Sequence, residues 1–218
     1  IIFSILLRDY RISIRKFNEL FIILLFFFLS IFIFIFAIGT NKEIINHAGI
    51  SILWALLILS STLSIKKFFQ DDFDSGNLII MHMSGISYEF ISLIKIFSHI
   101  IFIQIPFLIS LPIASLIINL PFEKTVLFII SFSISSFIIS CIGSISAAMN
   151  LLNKTSYSLG GIIVMLFSIP VIIFSIGLIN SSENFISMIY ILTGILFIFI
   201  AITPWTAGYC LRIALENK

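Results

Sequence analysis

Residues 66–95 read KKFFQDDFDSGNLIIMHMSGISYEFISLIK. This is the one long polar stretch in a chain otherwise made of apolar runs. Just before it lies AGISILWALLILSSTLSI, residues 48–65, and just after it IFSHIIFIQIPFLISLPIASLII, residues 96–118. Neither flank alternates in polarity, and each is long enough to cross a bilayer core of about 30 Å as a helix. Strands of a membrane barrel would be about half that length and would alternate. Moving outward from the loop, six such stretches emerge, at 20–38, 48–65, 96–118, 125–149, 158–179 and 185–209. The expected fold is an all-α integral membrane domain of six transmembrane helices, one unit over residues 1–218.

Composition agrees. The chain of 218 residues is 60% hydrophobic and 10% charged, with mean hydropathy +1.24. A soluble domain carries about 25% charged residues, so this chain lacks the polar surface to cover a water-soluble globule. No basic cluster interleaved with aromatics is present, which argues against nucleic acid as a partner. Cys141 and Cys210 lie in or beside apolar runs without a CxxC pair and read as packing residues. The first apolar run has no small-residue cleavage pattern after it, so it reads as a span and not as a leader.

Basic residues fix the expected orientation. With the N-terminus in the cytoplasm, ten of the twelve Lys and Arg face inward. Only Lys42 and Lys124 fall in external loops. The positive-inside rule therefore predicts that both termini are cytoplasmic, with short external loops.

Before the first span, Phe3, Leu7, Tyr10, Ile14, Phe17 and Phe21 recur at spacings of three and four, with Arg8, Arg11 and Arg15 on a neighbouring stripe. This pattern predicts an amphipathic helix over residues 1–19 lying on the membrane surface. It serves either as an anchor on lipid phosphates or as an elbow beside the cytoplasmic loop.

In the loop itself, Phe69 and Phe73 sit four apart on an expected continuation of the second span, among Asp71, Asp72 and Asp74. Gly76 is a natural helix stop. Leu78-Ile79-Ile80-Met81-His82-Met83 forms one or two apolar turns, ended by Gly85. Ser87 suits an N-cap with Glu89 in the first turn behind it. An apolar, Met-containing turn on the cytoplasmic side must be covered by something: the lipid interface, or a groove in a soluble partner. The second reading makes Phe69, Phe73, Leu78, Ile79 and Met81 docking contacts, with the three aspartates steering basic residues. Clustered carboxylates are more often solvated or paired than metal-binding, and no metal is expected.

Asp, Glu, Lys and Arg are absent from the middle of every span, which weighs against an ion-coupled transporter. Gln104, His99 and Asn119 are the polar exceptions besides the serines. Ser136, Ser140, Gly143, Ser144 and Ala147 form a small-residue face for close helix packing, within the chain or a dimer, with lining of a translocation path as the alternative. Pro106, Pro112, Pro170 and Pro204 are candidate kinks. His47, His82 and His99 are each conceivable haem ligands, but none has a second ligand at useful spacing. No nucleophile–base constellation, HExxH or phosphate-binding Gly-rich loop is present. No enzyme activity is expected, and the chain should not hydrolyse ATP by itself.

This organisation looks like the membrane subunit of an ABC transporter. LLRDYRISIRK at 6–16, ILWALLILSSTLSIKKFFQDDFDSGNLIIMHMSG at 52–85 and TPWTAGYCLRIAL at 203–215 resemble the CcmB family of cytochrome c maturation. Many members carry proline where this chain has Gly85-Ile86-Ser87. The resemblance implies an ABC-2-like permease bundle with an elbow helix and a coupling loop. It implies partners of the CcmA (ATPase), CcmC and CcmD types, and indirectly the haem chaperone CcmE. ATP would sit on the ATPase and haem would be handled by the complex, with no cofactor bound here. The expected location is a bacterial inner membrane, or the mitochondrial inner membrane for an organelle-encoded copy. The rival expectations are an ABC permease for lipid, glycan or drug, and a non-transporting membrane scaffold.

Overall fold

The computed structural model describes residues 7–9, 11–12, 17–39, 42–65, 68–152, 158–180 and 185–217. The described residues are helical apart from turns and short connections. In chain order the helices are α1 (Phe17–Ile38), α2 (Lys42–Thr62), α3 (Gln70–Asp74), α4 (Asn77–Met83), α5 (Tyr88–His99), a π-helical segment (Ile100–Gln104), α6 (Ile105–Ile117), α7 (Phe122–Leu152), α8 (Ser158–Asn180) and α9 (Phe185–Glu216).

Five of these runs are long and apolar enough to cross a membrane: Phe17–Ile38, Tyr88–Ile117, Phe122–Leu152, Gly160–Asn180 and Phe185–Glu216. The second expected span is shorter, with its apolar part at Ala48–Thr62. The expected continuation of α2 to Ile65 does not form, since the α-helix ends at Thr62. Ser60, Ser61, Thr62 and Ser64 crowd its end, and hydroxyls there compete for backbone carbonyls. Thr62 Oγ1 donates to the Leu59 carbonyl at 2.6 Å and Ser64 Oγ to that of Ser61 at 2.6 Å. The backbone tightens into i→i+3 bonds, Leu63 N to Ser60 O and Ser64 N to Ser61 O. Phe73 consequently lies in the separate short α3, with Phe69 at its N-cap position.

Helix α5 begins well before the expected span at residue 96, because Ser87 caps it, accepting from Phe90 N at 3.3 Å. It runs through the π segment into α6. Much of the expected N-terminal surface helix, including Phe3, Tyr10, Ile14, Arg15 and Lys16, lies outside the described residues. Leu7–Asp9 and Arg11–Ile12 are helical, whereas Phe17 and Phe21 belong to α1 and are exposed on it.

The core is built around α7. Trp54 of α2 is fully buried against Phe128 and Phe132 of α7, with ring centroids 5.5 and 5.9 Å apart. Phe27 of α1 meets Phe107 of α6 edge-on at 5.6 Å. Helices α8 and α9 pack along the rest of α7. Pro112, Pro170 and Pro204 lie within α6, α8 and α9 without ending them.

Candidate functional site

The loop folds as its punctuation dictates. Gly76 takes φ +76° and Gly85 φ +86°, a region costly for residues with a Cβ. The two glycines bracket α4, and Asp71, Asp74 and Ser75 stand exposed on the α3 turn. The Gln70 amide donates to both Asp74 carboxylate oxygens at 3.0 Å.

The apolar residues of the loop divide by face. Phe69, Phe73, Leu78 and Met81 turn inward and join the core, Phe69 at 0% exposure. They hold the loop against the bundle, so the surface they were expected to offer a partner is not presented here. The outward face of α4 carries Ile79, Ile80 and Met83, the last two 61% and 82% exposed. Of the expected docking set, Ile79 alone is apolar and outward; Ile80 and Met83, outside that set, share its face. The signal for them was helical spacing: an apolar hexapeptide wound as a helix must leave one side outside.

Asp72 is not a free steering charge. It is 6% exposed and lies between Arg8, whose Nη2 is 2.8 Å from Oδ1, and the Lys95 ammonium. Asn77 Nδ2 donates to the same carboxylate at 3.4 Å. Lys95 Nζ also contacts Asp9 Oδ2 at 3.0 Å, Arg8 Nη2 contacts Asp9 Oδ1 at 2.9 Å, and Ser98 Oγ donates to Asp9 Oδ2 at 3.0 Å. Two cations and two carboxylates thus neutralise one another where the N-terminal segment, the loop and the C-terminal half of α5 meet. Burial pushes the Asp72 carboxyl up, but the charge and hydrogen bond of Lys95, followed by Arg8, outweigh it and hold it below its ordinary value. Sequence reasoning counted Arg8 and Lys95 as topology markers and passed over Asp9. The available signal was an acidic residue within a basic stripe.

One turn beyond Lys95, His99 stacks on Phe68 with centroids 4.2 Å apart. Its Nε2 lies 2.8 Å from Ser64 Oγ and its Nδ1 3.0 Å from Ser140 Oγ. The imidazole thus ties the last residue of α5 to the turn after α2 and to the middle of α7. Both nitrogens are thereby engaged within the chain. His82 stacks on Tyr88 at 4.0 Å with Nδ1 3.1 Å from the Ile86 carbonyl. The His47 side chain lies outside the described residues.

The small-residue face of α7 points at the same node. Ser136, Ser140, Gly143, Ser144 and Ala147 are all buried in the chain. Ser144 Oγ meets Ser92 Oγ of α5 at 3.1 Å. A Cβ on Gly143 would come within 3.1 Å of the Phe68 ring. Between the charge cluster and His99 lies a cavity of about 110 Å³, lined by Asp9, Asp72, Lys95, His99, Phe68 and Phe102 among others.

A bundle of long apolar helices, with a structured polar loop at one end, is that of a multi-pass membrane protein. Residues 1–214 match the sequence model of the family described as CcmB protein, and the chain belongs to that family. "Heme exporter protein B" of Haemophilus influenzae is 28% identical over 221 residues, spanning 100% of both chains. The proteins of that name from Bradyrhizobium diazoefficiens and Rhodobacter capsulatus are 26% and 24% identical, and each alignment covers 98% of this chain and 98% and 99% of theirs.

Proposed function

We propose that this chain is the membrane subunit of an ABC-type complex of cytochrome c maturation. It couples ATP hydrolysis on a separate ATPase to haem delivery and to release of the haem-loaded chaperone. Family membership and full-length likeness to proteins named heme exporter protein B support haem as the cargo of the complex. The observation that carries the coupling role is the loop: α4 is anchored inward by Leu78 and Met81 and presents Ile79, Ile80 and Met83 outward. An exposed apolar helix face suits a groove in a soluble partner.

In this reading α2 is the sixth span, completed by the turns around it, and the segment preceding α1 serves as the elbow. Both termini are cytoplasmic, in a bacterial or mitochondrial inner membrane. The chain supplies no ATPase site, and ATP sits on a CcmA-type subunit. CcmC- and CcmD-type proteins complete the assembly, with a CcmE-type chaperone engaged indirectly. Exposed Asp71 and Asp74 remain as steering charges, while Asp72 serves the chain itself.

The test is purification of the tagged complex from its native membrane. The double substitution Ile80→Asp/Met83→Asp should abolish recovery of the ATPase while the chain still accumulates. Undiminished recovery overturns the docking assignment. A strain lacking the chain that still forms covalent haem–cytochrome c overturns the cargo and favours export of another substrate.

A further inference from the structure

The Arg8–Asp9–Asp72–Lys95 cluster takes charge out of water at the joint of three chain segments. Asp9, Asp72 and Lys95 are buried, and each carboxylate meets both cations. Asp72 also draws in Asn77 at the start of α4, and Asp9 draws in Ser98 of α5. Pulling any one member away leaves an uncompensated buried charge, which is far more costly than leaving the set intact. The joint therefore resists parting, and a load on the loop must be relieved elsewhere.

The structure offers one place close by. Immediately after α5 the hydrogen bonding widens to the π pattern over Ile100–Gln104. Pro106, in the first turn of α6, contributes no backbone N–H. Both polar atoms of the Gln104 side chain are buried without a hydrogen-bond partner among the described residues, at 1% exposure. π-bulges and proline are the usual points where a helix bends.

We infer that Lys95 is a positioning residue that locks the N-terminal segment, the loop α3–α4 and helix α5 into one rigid arm, and that this arm swings on the π segment Ile100–Gln104. This rests on the coupling role proposed above for its meaning, but the arm itself is a property of the chain. Loop motion imposed by a partner would reach the membrane as a bend within the third long helix, between His99 and Ile105. It would not arise from loosening of the loop.

Spin-label distances in the purified complex test it, in a background with Cys141→Ala and Cys210→Ser. One pair lies within the arm, at exposed Leu7 and Phe90. The other spans the π segment, at exposed Phe90 and Leu116. Without nucleotide, the Leu7–Phe90 distance should be single and narrow. Lys95→Met should broaden it and Lys95→Arg restore it. Where Lys95→Met does not accumulate, Lys95→Met/Asp72→Asn, which leaves Arg8 and Asp9 paired, takes its place. A distance as narrow in these variants as in the wild type overturns the clasp, whether or not an ATPase is bound. On adding ATP with vanadate, Phe90–Leu116 should shift while Leu7–Phe90 stays fixed. A change in Leu7–Phe90, or hydrolysis that moves neither pair, overturns the hinge. Absence of any ATPase from the complex defeats the coupling role and leaves the nucleotide-free result standing.

Discussion

The Lys95 ammonium lies 3.0 Å from an Asp9 carboxylate oxygen, across 86 positions of sequence. In a chain that is only 10% charged, that contact joins an N-terminal segment to the entry of a membrane helix. Its energetics are asymmetric. The intact pair contributes modestly over an apolar substitute, while a broken one leaves a buried ion alone.

Lys95→Met should therefore destabilise the protein by about 3–5 kcal/mol, with Lys95→Arg costing much less. Thermal unfolding in mild detergent reads the difference. Equal melting of Lys95→Met and wild type would show that water reaches and screens the cluster.

Acid should act through Asp72. Its carboxyl is held below its ordinary value by Lys95 and Arg8 despite burial, so folding favours the ionised form. That contribution is fully present above the unfolded value of about 3.9 and is lost as pH falls through the lowered folded value. The stability gap between wild type and Asp72→Asn should be constant from neutral pH down to about the unfolded value and close progressively below it. A gap that instead closes between pH 7 and 5 would point to another group.

Glycines in α9 give a paired test of helix packing. A Cβ at Gly208 would lie 2.9 Å from the Glu89 backbone nitrogen, which cannot step aside, whereas nothing lies within 4 Å of one at Gly194. Gly208→Ala should force α9 away from α5 and cost about 1–3 kcal/mol. Gly194→Ala should be neutral or gain up to about 1 kcal/mol from helix propensity. Melting temperatures of the two variants decide it.

Trp54 should behave as the keystone of the α2–α7 contact. It is fully buried against Phe128 and Phe132, so Trp54→Ala should cost about 3–5 kcal/mol through the cavity it leaves. Trp54→Phe should cost much less, since no described group accepts from the indole nitrogen. Comparable loss in both variants would mean that the indole has a role beyond packing.

Much of this molecule was legible from residue pattern alone, and the reasons are physical. Apolar runs of bilayer length announce helices, and Gly76, Gly85 and Ser87 punctuate the loop as their backbone preferences require. The faces were less legible. Phe69, Leu78 and Met81 look the same in sequence whether they meet a partner or their own core, because hydrophobicity says that a residue is covered and not by what. The charge cluster was hidden for a related reason: Asp9 and Lys95 meet only after the chain has turned back on itself twice. The end of α2 was misjudged because serines read as tolerable in a membrane helix until several of them share one turn.

The small-residue face of α7 has one last consequence. Its closest approach is spent inside the chain, on Phe68, His99 and Ser92. What remains for neighbours in the bilayer is mostly bulky: Phe21, Phe32 and Phe36 on α1, and Tyr190, Phe197 and Trp205 on α9, where Gly194 and Ala201 open gaps between the rings. Along most of these faces large rings hold a neighbouring backbone away. Lateral association of this protein should therefore depend on how readily lipid chains give way around those rings, and respond to the thickness and fluidity of the membrane that holds it.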